Sequence, residues 1–341
     1  MELNASQTAP LLSVVVIGRN EGLRLERCLQ SIFEMDPLEG EVEVIYVDSA
    51  STDDSAVLAA RMGARVVVVK PRRPTAAIGR NAGWRLSSAA FILFLDGDTI
   101  LDPGFVVKAL EDFRDDTATV CGNRRETHPE NSVYNRVLDL DWISPAGIVD
   151  YCGGDALTRR EALEHVGGYD ENLIAGEEPE MCRRMRAAGW KILHVDRPMT
   201  GHDLAMTKWS QYWRRAVRTG YAYAEVSNRF SGSALPFWEN EARRNRNRAL
   251  ALSSLTIGGV VFSLLLQTLW PVLLLLLLLT ALALRSASKA AWKSPNFLTR
   301  LLYGIHSHVQ QIPIYIGQFE YWSDRKNGRT RGLIEYKEIA N

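Results

Sequence analysis

Phe91-Ile92-Leu93-Phe94-Leu95-Asp96-Gly97-Asp98-Thr99 is the stretch on which the reading of the chain turns. Five consecutive apolar residues, rich in aromatic and branched types, describe a strand buried on both faces. The run ends abruptly in two carboxylates separated by one glycine, so its end marks an edge of the core. Two acids at the exit of a central strand repel each other and are costly to desolvate, which makes a divalent cation a natural partner. The same residues also describe a solvated Asp-Gly turn. From this motif alone both readings stand.

Working outward, strand and helix patterns alternate. Residues 11–17 read as a branched strand, and residues 21–32 carry helical spacing at Leu25, Cys28, Leu29 and Ile32. Strands are expected at 42–47, 64–69 and 91–95, with helices at 53–62 and 78–87 between them. Such alternation predicts an α/β fold with a mostly parallel sheet covered on both sides, its ligands bound outside the carboxyl ends of the strands. The polar residues at those ends are Arg19, Asn20 and Glu21, then Asp48 and Ser49, then Asp96 and Asp98. No Gly-x-Gly-x-x-Gly follows the first strand, which argues against a dinucleotide fold. Beyond Thr99 the spacing predicts helices at 105–114, 132–143, 160–166 and 177–188. Strands are expected at 119–122 and 191–195, with a flexible Gly153-Gly154-Asp155 loop and His202 after the last strand.

The chain has 341 residues, with 40 Lys and Arg balanced by 40 Asp and Glu, so net charge points to no class of partner and gives no reason to expect nucleic acid. The distribution says more. Between Thr207 and Arg248 nine basic residues face three acids, and residues 249–284 then carry no charge at all. That stretch exceeds the roughly 20 residues needed to cross a bilayer once. Pro271 lies near its middle and basic residues flank both ends, so a hairpin with both ends cytoplasmic suits the positive-inside rule better than one long kinked helix. Residues 296–322 read as an interfacial amphipathic or shallow re-entrant segment. Residues 1–10 lack a basic start and an apolar core, so no secretory leader is expected and the first 240 or so residues are expected in the cytosol. Cys28, Cys121, Cys152 and Cys182 have no metal-type spacing and are expected as free thiols.

Several motifs together resemble family 2 glycosyltransferases of the GT-A fold. They are Ser13-Val14-Val15-Val16-Ile17-Gly18-Arg19-Asn20-Glu21, Val47-Asp48-Ser49 with Ser51 to Ser55, Arg80-Asn81-Ala82-Gly83, Asp96-Gly97-Asp98, Gly167-Gly168-Tyr169-Asp170 and Gly176-Glu177-Glu178-Pro179-Glu180. The resemblance covers roughly residues 11–220, and Ser49 departs from it where a second aspartate is common. It implies a 1–10 tail and a catalytic domain over 11–240. Within that domain it implies a nucleotide-binding half at 11–99, an acceptor half at 100–220 and a basic juxtamembrane segment at 207–248. A transmembrane segment at 249–290 and an interfacial segment and tail at 291–341 follow.

By the same resemblance Arg19, Glu21, Asp48, Arg80, Asp96 and Arg214 would bind the nucleotide, with Asp48 accepting from a uracil imide. Asp98, Asp96 and His202 would hold Mn2+ or Mg2+, which turns a diphosphate into a tolerable leaving group. Gly153, Gly154, Asp155 and Gln211 would meet the acceptor. Glu178 would be the catalytic base, with Glu177 the other candidate, since the usual Glu-Asp pair is here Glu-Glu. Structural readings accompany these roles: an Asx turn for Asp48, a turn for Asp155, helix-start charge for the two glutamates and a plain loop histidine for His202. Gln211-Tyr212-Trp213-Arg214-Arg215 is near the Gln-x-x-Arg-Trp signature of processive synthases, but Arg215 replaces the tryptophan. The expectation is an inverting, metal-dependent enzyme moving one sugar from a nucleotide-diphospho sugar, UDP-linked, to a lipid-linked saccharide in exopolysaccharide or envelope synthesis at the cytoplasmic membrane. Alternatives are a polyprenyl-phosphate glycosyltransferase, a processive synthase and a non-catalytic nucleotide-sugar sensor.

Overall fold

The computed structural model describes residues 9–234, 236–329 and 331–332. Most of the expected 1–10 tail and the end of the 291–341 segment therefore lie outside the described residues. Among the described residues the chain divides into two compact units, residues 9–127 with 144–203, and residues 128–143 with 204–332.

The first unit holds a nine-stranded sheet. Its first four strands, β1 (Leu12–Gly18), β2 (Val42–Asp48), β3 (Arg65–Val68) and β4 (Phe91–Asp96), run parallel in the order β3-β2-β1-β4. Consecutive branched residues make this possible because both faces are covered. Val14, Val16, Leu93 and Leu95 pack on Leu25, Cys28, Leu29 and Ile32 of α1 (Leu23–Phe33). On the other face Val15, Ile17, Ile92 and Phe94 meet Ala77 and Trp84 of α3 (Ala76–Leu86), which follows α2 (Ser55–Arg61). Met181, Cys182 and Met185 belong to the same cluster.

Beyond β4 the sheet is mixed. The short β5 (Thr99–Leu101) precedes α4 (Phe105–Glu111), β6 (Thr117–Glu126), α5 (Val133–Asp141), β7 (Gly147–Val149) and β8 (Ala156–Arg159). Helices α6 (Arg160–Val166) and α7 (Glu177–Ala187) and strand β9 (Lys191–His202) complete this part of the chain. The order continues β4-β8-β6-β9-β5, with β7 on β9. Strand β6 runs to Glu126 rather than ending at 122, and β9 runs to His202 rather than 195. These polar extensions carry no apolar alternation; they hold together by pairing with each other in a register with several shifts. Strands β5, β7 and β8, too short for periodicity to reveal, were not expected.

The second unit is helical. It contains α5, α8 (Trp209–Arg229), α9 (Glu239–Leu266), α10 (Trp270–Lys289), α11 (Phe297–Val309) and α12 (Gln311–Lys326). Helices α9 and α10 are long and apolar enough to cross a membrane, with mean hydropathy of 2.1 and 2.0 over their most apolar windows. They form a helix pair with a break at Gln267–Leu269, in the manner expected of a hairpin. Residues 296–322 are two helices rather than one segment. Helix α12 crosses α8 so closely that a Cβ on Gly220 would lie 1.8 Å from the Ile314 carbonyl oxygen and one on Gly317 would lie 2.0 Å from that of Val217. Much of the amphipathic face of α12 is thus taken up by protein. At the root of α9, Asn245 donates to Gln311 Oε1 at 2.7 Å and accepts from Gln318 Nε2 at 2.8 Å.

Candidate active site

Strand register assembles the donor side. Gly18 lies opposite Asp48, and Ile17 opposite Asp96, so the carboxyl ends of β2, β1 and β4 are level at one edge of the sheet. Thr99 lies opposite His202 across β5 and β9. That pairing brings His202 Nε2 to 3.4 Å from Asp98 Oδ1, and both residues are buried. One ligand atom each from Asp96, Asp98 and His202 fall within 4.8 Å of one another. Two carboxylates and one imidazole suit a hard or borderline divalent cation better than a thiophilic one.

Asp96 and Asp98 are not equivalent. Asp96 Oδ1 accepts from Arg80 Nη2 at 2.8 Å, and its Oδ2 lies 3.6 Å from Arg124 Nη2. Two guanidiniums offset the Asp96 charge. Arg80 is 3% exposed and also donates through Nη1 to Glu177 Oε1 at 2.8 Å. Its guanidinium lies 5.6 Å from the centre of the Tyr169 ring. Asn81 clamps that neighbour from the same helix, accepting from the Tyr169 N–H at 3.0 Å and donating to its carbonyl at 2.8 Å. Arg80-Asn81 and Gly167-Gly168-Tyr169 are therefore one device, although 88 residues separate Asn81 from Tyr169.

Helix α7 starts at Gly176, whose φ of 79° is left-handed, and presents Glu177 and Glu178 in its first turn. Glu177 is buried as the counterion of Arg80. Burial, and after it the charge of Glu177, push the Glu178 carboxyl up to about 8. A carboxylate held in that range is a much stronger base than an exposed one.

The remaining expected residues fall into place unevenly. Asp48 is 2% exposed; Oδ2 accepts from the Ser51 N–H at 2.8 Å and Oδ1 from the Tyr46 hydroxyl at 3.2 Å, the local turn that its structural reading described. Asn20, at φ 56°, ties the first two strand exits together by accepting from the Thr52 N–H at 2.7 Å. Glu21 pairs with Arg24 at 2.9 Å, and Arg19 is exposed. Gly153 has a φ of 88°, which favours glycine, and a Cβ on Gly154 would come within 2.8 Å of Arg80 and 3.0 Å of Asp96, so a side chain there would push on the ends of that pair. Asp155 is buried beneath this loop, where it accepts from the Asp96 N–H at 3.1 Å. Gln211 and Arg214 belong to the other unit. Gln211 is buried, its carbonyl accepting from the Thr207 and Lys208 N–H groups at 2.9 Å to cap α8, whereas Arg214 is exposed on that helix. Arg124 and Thr200 went unnoticed in the sequence. They reach the site through the polar extensions of β6 and β9, where they pair with each other.

A family model described as "Glycosyl transferase family 2" matches residues 13–167, and one described as "Glycosyl transferase family group 2" matches residues 91–293, more than half of the chain. The chain is a family 2 glycosyltransferase. Curated relatives of this glycosyltransferase include Glycosyltransferase AglE of Haloferax volcanii, 22% identical over 199 residues that make up 55% of this chain and 65% of the relative. The O-antigen chain rhamnosyltransferase WbaN of Salmonella anatum is 28% identical, with 53% and 62% covered. The chain thus spans less than two thirds of the length of these relatives. Among solved structures, the mannosyltransferase PcManGT from Pyrobaculum calidifontis, in complex with GDP-Man and Mn2+, superposes with a TM-score of 0.64 at 16% identity, covering 94% of this chain and 89% of that one. TarS 1-349 of S. aureus in complex with UDP gives 0.51 at 14% identity, covering 93% and 92%. The glycosyltransferase accordingly has the GT-A fold expected for it.

Proposed function

We propose that the chain is an inverting, metal-dependent transferase that moves one sugar from a UDP-sugar to a hydroxyl of a lipid-linked saccharide. The observation that carries this reading is the chain of contacts from the Asp98–His202 pair, through Asp96 and Arg80, to Glu177 beside the raised carboxyl of Glu178. The two ends have complementary tasks. Asp98 and His202, with Asp96, would hold Mn2+ or Mg2+. The cation supplies the Lewis acidity that stabilises a departing diphosphate.

Glu178 takes the proton of the acceptor hydroxyl as that oxygen bonds to the anomeric carbon. The bond from that carbon to the diphosphate breaks on the opposite face, which inverts the configuration. Arg80 holds Glu177 in place beside Glu178, and after burial the charge of Glu177 raises the Glu178 carboxyl toward the range of a general base. The Asp96 carboxylate faces the nucleotide side, and Asp48, level with it at the strand ends, is the candidate for reading the base.

The acceptor reading rests on the helix pair α9 and α10, which one chain carries together with the transferase sheet. Arg243, Arg244, Arg246 and Arg248 are exposed just before the uncharged stretch, as expected for a segment resting on anionic lipid at the cytoplasmic face of the inner membrane. The named activity of WbaN concerns O-antigen chains, a related kind of glycan.

The test is a panel of UDP- and GDP-linked sugars with the purified full chain, lipid-linked saccharides and bare polyprenyl phosphate as acceptors, with and without EDTA. Release of UDP that needs a lipid-linked saccharide and stops with EDTA is the expected result. Release indifferent to EDTA overturns the metal, and transfer to bare polyprenyl phosphate overturns the acceptor.

A further inference from the structure

The place of Asp155, directly after Gly153-Gly154, gave it an expected role at the acceptor. Its side chain is instead engaged within the sheet. Oδ1 accepts from the backbone N–H of Asp96 at 3.1 Å, and Oδ2 accepts from the Thr200 hydroxyl at 2.8 Å. Arg124 Nε lies 3.5 Å from the same Oδ2, while Arg124 Nη2 lies 3.6 Å from Asp96 Oδ2. Asp155 is 3% exposed, which leaves little surface for a sugar hydroxyl.

Asp96 is held at its backbone and at both carboxylate oxygens. Asp155 holds its N–H, the Thr99 hydroxyl donates to its carbonyl at 2.8 Å, Arg80 holds one carboxylate oxygen and Arg124 approaches the other. Arg124 sits between two carboxylates and offsets both charges. Removing any member of such a buried group leaves the others imperfectly satisfied.

We propose that Asp155, with Arg124 and Thr200, is a positioning residue of the donor side: it sets the place and charge of Asp96 and does not hold the acceptor. This rests on the donor-site reading above. Outer residues that orient metal ligands commonly change metal affinity by about 10- to 100-fold when removed.

The test measures calorimetric binding of UDP with Mn2+, and of GDP with Mn2+, to the full chain in detergent, without any turnover. D155A is expected to weaken nucleotide binding by about tenfold or more. D155N, which keeps an oxygen for the Asp96 N–H, is expected to weaken it less, and the acceptor KM is expected to stay unchanged in D155N. Should D155A fail to fold, T200V removes a single hydrogen bond and is expected to weaken binding by about threefold. Unchanged nucleotide binding in the folded variants, or a raised acceptor KM with donor binding intact, overturns the proposal alone. A wild-type chain that binds neither nucleotide overturns the donor-site reading and the proposal with it.

Discussion

Arg80 donates to Glu177 at 2.8 Å across 97 residues of sequence, and this one ion pair separates the roles of two adjacent glutamates. Glu177 is the buried counterion; Glu178, next to it, is left to carry a proton. Replacing Glu178 by Gln is therefore expected to lower turnover by about 10²- to 10⁴-fold while nucleotide binding and thermal stability stay near wild type. Replacing Glu177 by Gln acts differently, because it removes one of the two carboxylates that pair with a buried guanidinium and leaves Asp96 as the other. Breaking a buried pair from one side costs about 3 to 5 kcal/mol, so a marked fall in melting temperature should accompany its loss of activity. Turnover with thermal unfolding on both variants decides the matter, and an E178Q enzyme that transfers sugar at the wild-type rate sinks the assignment.

The pH dependence follows from the same carboxyl. Burial and the charge of Glu177 raise Glu178 to about 8, and a general base works only when deprotonated. At pH 7 about one molecule in ten then carries the active form. Turnover at saturating donor is expected to rise with pH through 7 and level off above about 8. Replacing Glu177 by Gln removes the like charge, so residual turnover should level off at lower pH. A profile flat from pH 6 to 9 with chemistry rate-limiting would remove Glu178 as the base.

Asp98 and His202 are brought together by the pairing of Thr99 with His202, and Asp96 is already offset by two arginines. Cation binding should therefore depend more on Asp98 and His202 than on Asp96. H202A and D98N are expected to raise the Mn2+ concentration needed for half-maximal activity by about tenfold or more, and EDTA should abolish transfer by the wild type. Titrating Mn2+ into each variant gives the answer; equal requirements in H202A and wild type would return His202 to a purely structural place.

The donor half was legible because buried parallel strands demand consecutive branched residues, and Val14 to Ile17 and Ile92 to Leu95 supply them. With β2 paired to β1, the strand ends then had to hold Asp48 and Asp96 at the same edge, whatever the loops did. Arg124 and Thr200 were hidden for the opposite reason. Their strands are polar, and a register with shifts, which no periodicity encodes, brings them opposite each other. The choice between Glu177 and Glu178 was equally closed to the sequence, since it depends on which carboxylate a distant arginine reaches. Gln211 shows a further limit: at a motif position that resembles an acceptor contact, the side-chain oxygen caps its own helix.

The thiols offer a simple check of the core. Burial raises Cys28 and Cys121 above their ordinary range, Cys121 to about 12, and Cys152 is raised first by its hydrogen-bond contact with the Cys182 thiol and then by burial, so few thiolates exist at neutral pH. Native protein is expected to resist iodoacetamide at these three positions and to take it up after denaturation, read by mass spectrometry. Fast native labelling of Cys28 would contradict the packing of β4 on α1, and that of Cys121 would contradict the burial of β6 in the same core.

The helix pair makes the last prediction. The 20 residues of α10 span about 30 Å, the thickness of a bilayer's hydrocarbon core. The break at 267–269 carries the polar Gln267 and Thr268, and Trp270 beside it is 71% exposed, the kind of ring that settles at a lipid headgroup boundary. Lys289 and Lys293 lie at the other end of α10, so by the positive-inside rule that end and the root of α9 are expected on the cytoplasmic side. A cysteine at Thr268 should then react with a membrane-impermeant maleimide in right-side-out vesicles, and one at Ser294 only in inverted vesicles. If both react only in inverted vesicles, the pair enters and leaves by the same face without crossing; if T268C reacts only in inverted vesicles and S294C only in right-side-out ones, the orientation is reversed.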